Sequence, residues 1–154
     1  MIGDSQFPRG YVIISCMNNP PLVLIVDDEE NFREIFSTKL EEVGYKVETA
    51  VNGELGFEKA KETKPDLILM DMEMPVLNGA GATMKLREDK ETQGIKIVFL
   101  TNYGDPRSEM READIHFSKE IGANDYLRKT DDLDRIADKV KEMLEVGQVV
   151  ESSK

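Results

Sequence analysis

The chain has 154 residues, enough for one domain with a full core, and a net charge of −11 that repels nucleic acid backbones. No basic patch offsets that charge, so direct DNA binding is not expected, and no apolar stretch approaches the roughly 20 residues of a membrane span. Hydrophobic residues at 40% and charged residues at 33% fit a globular domain, and the single cysteine, Cys16, excludes an internal disulfide and fits a reducing, cytoplasmic compartment.

Residues 1–21 read as a flexible arm. Their apolar stretch, 11–17, is short, closes on Asn18-Asn19-Pro20-Pro21, and has only Arg9 before it, which is too little for a secretory signal. From Leu22 onward the pattern alternates strand and helix. The first strand is 22–26. The first helix is 31–43, with Phe32, Ile35, Phe36, Leu40 and Val43 along one face and Gly44 ending it. A second strand at 46–49 precedes a helix at 53–62, with Leu55, Phe57 and Ala60 expected inward and Pro65 blocking extension. The third strand, 66–70, is apolar enough to be covered on both faces. A Pro75/Gly79 loop and a helix at 80–88 follow, then a polar loop at 89–94 and a strand at 95–100. Asp105-Pro106 opens a fourth helix expected to reach Ile121 and stop at Gly122. A short strand at 125–127 and a helix at 131–144 complete five βα units. Residues 145–154 read as a fraying tail, which leaves 22–144 as the folded domain. The fold class is α/β: a doubly wound, three-layer sandwich on a parallel sheet.

Four of the five strands stop at a reactive residue. The first ends in Asp27-Asp28, the third in Asp71, the fourth in Thr101, and the fifth leads through Arg128 into Lys129. Open parallel sheets bind ligands at the carboxyl ends of their strands. That rim gathers three carboxylates, a hydroxyl and an ammonium into one crevice suited to a divalent cation and a phosphoryl group. Carboxylates about 4 Å apart repel by about 4 kcal/mol per pair at an effective dielectric near 20, and a hard cation relieves that repulsion.

These residues carry a family resemblance. Leu24-Ile25-Val26-Asp27-Asp28-Glu29 resembles the opening of a response-regulator receiver domain. Asp71 with Met74-Pro75-Val76-Leu77-Asn78-Gly79 is similar to that family's phosphoacceptor and the loop after it, and Leu100-Thr101 and Gly122 to Lys129 complete the set. The resemblance implies a flavodoxin-like sheet of order 2-1-3-4-5. It also implies that Asp71 is the nucleophile that accepts phosphate. Mg²⁺ would be held directly by Asp28 and Asp71, through water by Asp27, and by the backbone carbonyl of Glu73. Thr101 and Lys129 would bind phosphoryl oxygens, and Thr101 and Tyr126 would form the switch. The expected partners are a sensor histidine kinase or histidine phosphotransfer protein and a downstream protein target. That target would read the face made by the fourth helix, fifth strand and fifth helix. No nucleic acid or membrane partner is expected, and the chain would be a monomer or a weak phosphorylation-dependent dimer. The protein is not expected to be an enzyme.

Two departures stand out. Thr130 follows Lys129 where the family usually has Pro, so Thr130 or Asp131 is expected to cap the last helix. The interval from Thr101 to Tyr126 is also longer than usual, with the excess in 105–120. Two alternatives keep the fold: an interaction module that works without phosphorylation, and a Mg²⁺-dependent phosphatase with Asp71 as nucleophile and Glu73 as acid. The only histidine, His116, is expected on the surface, and Met70, Met72, Met74, Met84, Met110 and Met143 are expected to serve packing.

Overall fold

A computed structural model describes residues 11–13, 18, 20–101, 120–145 and 149–151. Strands β2 (Leu22–Val26), β3 (Lys46–Ala50), β4 (Leu67–Asp71), β5 (Lys96–Thr101) and β6 (Asp125–Arg128) form one parallel sheet, ordered β3-β2-β4-β5-β6. This is the expected 2-1-3-4-5 arrangement. The intervening helices are α1 (Glu30–Glu42), α2 (Gly53–Thr63), α3 (Gly79–Glu88) and α4 (Leu133–Glu145).

The period-two alternation of the strands sorts the core into two layers. Val23, Ile25, Leu67, Leu69, Val98 and Leu100 face one side, with Phe36 and Leu40 of α1 and Ile136, Val140, Met143 and Leu144 of α4. Leu24, Val26, Ile68, Met70, Ile97 and Phe99 face the other, with Ala60 of α2 and Ala82 and Leu86 of α3. Strands covered on both faces must be apolar along the covered stretch, and the three central ones are, over Leu22–Val26, Leu67–Met70 and Ile97–Leu100.

Local chemistry sets the helix ends. Gly44 takes φ +106° just past α1, as a left-handed cap requires. Asn52 and Asn78 cap α2 and α3, each side-chain oxygen accepting from the backbone N–H three residues on, at 2.8 Å. The last helix starts at Leu133, and its cap is Asp132, which accepts from the Arg135 N–H at 2.9 Å; neither Thr130 nor Asp131 fills that place.

Several side chains depart from the helical pattern. Leu55 is 45% exposed, and Gly56 turns inward instead. Helix α2 lies so close to β2 that a Cβ at Gly56 would stand 2.8 Å from Val26 Cγ2, so the inward position takes no side chain. Ile35 and Val43 are likewise exposed, which narrows the buried stripe of α1 to Phe36 and Leu40 with Phe32 partly covered. Of the methionines, Met70 and Met143 are buried and Met72 and Met74 pack on the core, whereas Met84 is exposed.

Only part of the arm lies within the described residues. Asn18 Nδ2 donates to Lys64 O at 3.1 Å and to Asp66 Oδ2 at 2.9 Å, and β1 (Tyr11–Ile13) pairs antiparallel with β7 (Val149–Glu151). Neither strand of that pair is foreshadowed by a turn between them, because they lie at opposite ends of the chain. The expected fourth helix falls almost wholly in residues 102–119, outside the described residues, as do His116, Met110 and Cys16. Glu120 is helical, and Gly122 has φ +117°, in keeping with a helix that stops there.

Arg87 was not singled out by any motif. Its guanidinium donates to the carbonyls of Gln93, Ile95 and Gly122 and to Asn124 Oδ1, at 2.7–3.1 Å. It ties α3 to the amino ends of β5 and β6.

Gly79 gives the sharpest test of packing at the sheet rim. A Cβ there would lie 2.3 Å from the Asp71 carbonyl oxygen, whereas one at Gly94 meets nothing within 4 Å. Gly79→Ala is expected to cost about 1–3 kcal/mol in urea unfolding, and Gly94→Ala to be neutral or to stabilise by up to about 1 kcal/mol. Equal effects would contradict this packing.

Candidate functional site

The carboxyl rim collects the reactive strand ends. Asp27 follows β2, and its N–H donates to Ala50 O at the end of β3, at 3.1 Å. Its Oδ1 accepts from the Glu29 N–H at 2.9 Å, and its carbonyl accepts from Arg33 Nη1 at 2.8 Å. The first turn of α1 thereby fixes Asp27, which is fully buried. Asp71 ends β4, one strand over. Met72 N–H donates to Leu100 O at 3.3 Å, and Gly79 N–H to Met72 O at 3.1 Å, which draws the start of α3 against the rim.

Lys129 arrives from the other side. Its N–H donates to Thr101 O at 2.8 Å, locking the end of β6 to the end of β5. Its side chain is 1% exposed and runs across the rim. Nζ lies 2.8 Å from Asp27 Oδ2, 3.0 Å from Glu29 Oε1 and 3.4 Å from Asp71 Oδ2. It also sits 4.4 Å from the centre of the Phe32 ring. Phe32 is set by Phe36, with ring centres 5.5 Å apart.

Asp27, Asp28 and Asp71 each present a carboxylate oxygen within 4.8 Å of the others. Octahedral oxygen ligands at about 2.1 Å from Mg²⁺ stand about 2.9 to 4.2 Å apart, so the three lie close enough to share one ion, directly or through a bound water. Asp27 Oδ2 is buried and, despite the nearby ammonium, accepts no aligned hydrogen bond. A buried carboxylate oxygen with unused lone pairs is a suitable donor for a hard cation. The donor set, carboxylates only, fits such an ion and not a soft metal.

The electrostatics follow from unequal sharing of one ammonium. Burial pushes the Asp71 carboxyl up, and the negative charge of Asp27 pushes it further, to about 8; Lys129 and the Glu73 N–H pull the other way without prevailing. That N–H reaches Asp71 Oδ1 at only 3.4 Å. Burial alone would lower Lys129, but Asp27 and Asp71 together raise it above its ordinary value, so it stays charged. The ammonium is nearer Asp27, and Asp71 is the less well compensated of the two.

Asp27, Asp28, Asp71 and Lys129, read from the sequence as one group, thus meet on the rim. Thr101 is buried at the end of β5, where Leu100 pairs with Asp71. Glu73 lies two residues past Asp71 with its N–H toward that carboxylate. Tyr126 is half-buried on the edge strand β6, opposite Phe99 and against the α2/α3 layer. Sequence reasoning missed Glu29 and Phe32 as partners of Lys129. The only signal was their place, directly after Asp27-Asp28 and in the first turn of α1.

Comparison with known proteins agrees with this geometry. Residues 23–141 match the response regulator receiver domain family. Protein PilH of Pseudomonas aeruginosa is 39% identical over 107 residues, covering 70% of this chain and 84% of that protein. The DNA-binding dual master transcriptional regulator RpaA of Synechocystis is 33% identical over 124 residues, 80% of this chain but 49% of that protein. The chain therefore spans about half the length of that regulator. The chemotaxis protein CheY4 of Vibrio cholerae superposes with a TM-score of 0.73 at 28% identity, covering 80% of this chain and 98% of that one. The receiver domain of a histidine kinase from Syntrophus aciditrophicus gives 0.71 at 32% identity, covering 87% and 97%. Among the described residues, no helix is long and apolar enough to cross a membrane. With a match over most of its length and relatives that share its fold, the chain belongs to the response regulator receiver domain family of two-component signalling.

Proposed function

We propose that this receiver accepts a phosphoryl group on Asp71 from a histidine kinase or histidine phosphotransfer protein and passes the changed state to a protein target. The folded unit that does so is taken as residues 22–144. The observation that carries the reading is the convergence of Asp71 with two further aspartates and a buried lysine at one strand rim.

In the transfer, an ionised Asp71 oxygen attacks the phosphorus of the donor phosphohistidine. The new O–P bond forms as the N–P bond breaks, and the electron pair returns to the imidazole nitrogen, giving an acyl phosphate on this chain. The transition state is loose, so charge stabilisation counts for more than covalent help. Lys129, the buried cation of the rim, neutralises phosphoryl oxygens, and the Thr101 hydroxyl donates to another. Mg²⁺ would be held by Asp28 and Asp71, by Asp27 through water and by the Glu73 carbonyl, and when bound it would offset the negative charge of both carboxylates and phosphate. Thr101, once engaged by phosphate, would vacate space for the Tyr126 ring, and this coupled packing change would alter the face beyond β6 that a partner reads.

Incubation with Mg²⁺ and a small phosphodonor, read by intact mass, is expected to add one phosphoryl group to the native chain and none to Asp71→Asn. Addition at equal extent to both would overturn the assignment, and no addition to either would favour an interaction module.

The charge balance predicts a pH effect. Without metal, folded Asp71 keeps its proton to about pH 8, whereas in the unfolded chain it ionises near its ordinary 3.8. Between those values the native state binds the extra proton, so stability falls as pH rises. Thermal unfolding in chelator is expected to show Tm declining from pH 5 to pH 8 more steeply in the native chain than in Asp71→Asn. Added Mg²⁺ is expected to recover most of the loss at pH 8. Parallel declines in the two proteins would refute the charge assignment.

A further inference from the structure

We infer that Glu29 and Phe32 are positioning residues that hold the Lys129 ammonium away from Asp71 and compete with an arriving phosphoryl group for it. This rests on Asp71 being the acceptor and names the groups that set how readily its lysine responds.

An ammonium has three N–H donors. Here one is donated to Glu29 at 3.0 Å, Asp27 Oδ2 lies 2.8 Å away as an ion pair without an aligned hydrogen bond, and the distance to Asp71, 3.4 Å, is the longest of the three. The Phe32 ring covers the same ammonium at 4.4 Å, within the range of a cation–π contact. Both holding groups come from the start of α1, Glu29 at its N-cap and Phe32 in its first turn, whereas Asp71 ends β4, so their pull on the ammonium competes with that of Asp71. They are unequal in kind. The Glu29 side chain is 53% exposed, so its pair with Lys129 is screened and readily exchanged. Phe32 packs on the core beside Phe36, which ties its ring to the helix rather than to the lysine.

A phosphoryl group on Asp71 would offer closer oxygens than the carboxylate does. To meet them, Lys129 gives up Glu29 and slides off the Phe32 ring while Asp27, fixed by Glu29 N–H and Arg33, stays in place. Attraction to the phosphoryl oxygens must therefore outweigh the pull of Glu29 and Phe32. Removing either of these two holding groups beforehand tightens binding of a phosphoryl mimic. Each hold is weak, so the expected gain in affinity is roughly two- to fivefold for one and roughly tenfold for both.

The test is titration of the full chain with beryllofluoride in saturating Mg²⁺ by calorimetry, with Mg²⁺ alone as reference. Glu29→Gln removes the pair, and Phe32→Leu removes the ring without changing charge. Glu30→Gln controls for net charge, and Phe32→Tyr keeps the ring. Tighter beryllofluoride binding is expected in Glu29→Gln and Phe32→Leu, near-native binding in Glu30→Gln and Phe32→Tyr, and Mg²⁺ affinity of Phe32→Leu within twofold of the native chain. If Phe32→Leu fails to fold, Glu29→Gln against Glu30→Gln decides, because both positions are exposed. Equal tightening in Glu29→Gln and Glu30→Gln, or unchanged or weaker binding in a folded Phe32→Leu, overturns the inference. Failure of the native chain to bind beryllofluoride, or equal binding by Asp71→Asn, would instead overturn the acceptor assignment.

Discussion

One buried ammonium makes the carboxyl rim possible. Asp27 and Asp71, from the ends of β2 and β4, are buried side by side, with the exposed Asp28 and Glu29 at their edge. Isolated buried charges of that kind are too costly to keep. Lys129 lies among them with its side chain almost fully covered. Its hold on Asp27 is shorter than its hold on Asp71, and that inequality is the source of the site's chemistry. One aspartate is a settled ionic partner. The other remains under-compensated, which disposes it to take a proton, a cation or a phosphoryl group.

The scaffold supplies this arrangement without specialised local structure. Strands β2, β4 and β5 are apolar because helices cover both faces, and the polar residues begin where that cover ends. Gly79 lets α3 approach the Asp71 carbonyl more closely than any side chain would allow. Asn78 then starts the helix by satisfying the Gly81 N–H. Packing and site geometry are thus set by the same few residues of the loop after Asp71.

Much of this was legible in the residue pattern. Alternation of apolar runs and amphipathic stretches gives the βα order, and the topology of parallel sheets then gathers Asp27, Asp28, Asp71, Thr101 and Lys129 on one rim. What escaped the pattern depends on distances between elements. Gly56, not Leu55, faces inward because α2 nearly touches Val26. Asp132, not Thr130 or Asp131, caps α4 because the turn after Lys129 runs further before the helix begins. Glu29 and Phe32 reach Lys129 only because of how α1 lies across the rim, which no spacing encodes. The pairing of Tyr11–Ile13 with Val149–Glu151 joins segments with no local signal linking them.

The Arg87 latch sits at the other end of the sheet. Its guanidinium grips carbonyls just ahead of β5 and of β6 and the Asn124 side chain, whose oxygen also accepts from Ile97 N–H at 2.8 Å. Strands β5 and β6 are therefore pinned together at their amino ends, like the ribs of a fan at its rivet. The Lys129 N–H on Thr101 O fastens the same two strands at their carboxyl ends as well, so the edge that carries the reactive groups is held at both ends and is left to respond through its side chains.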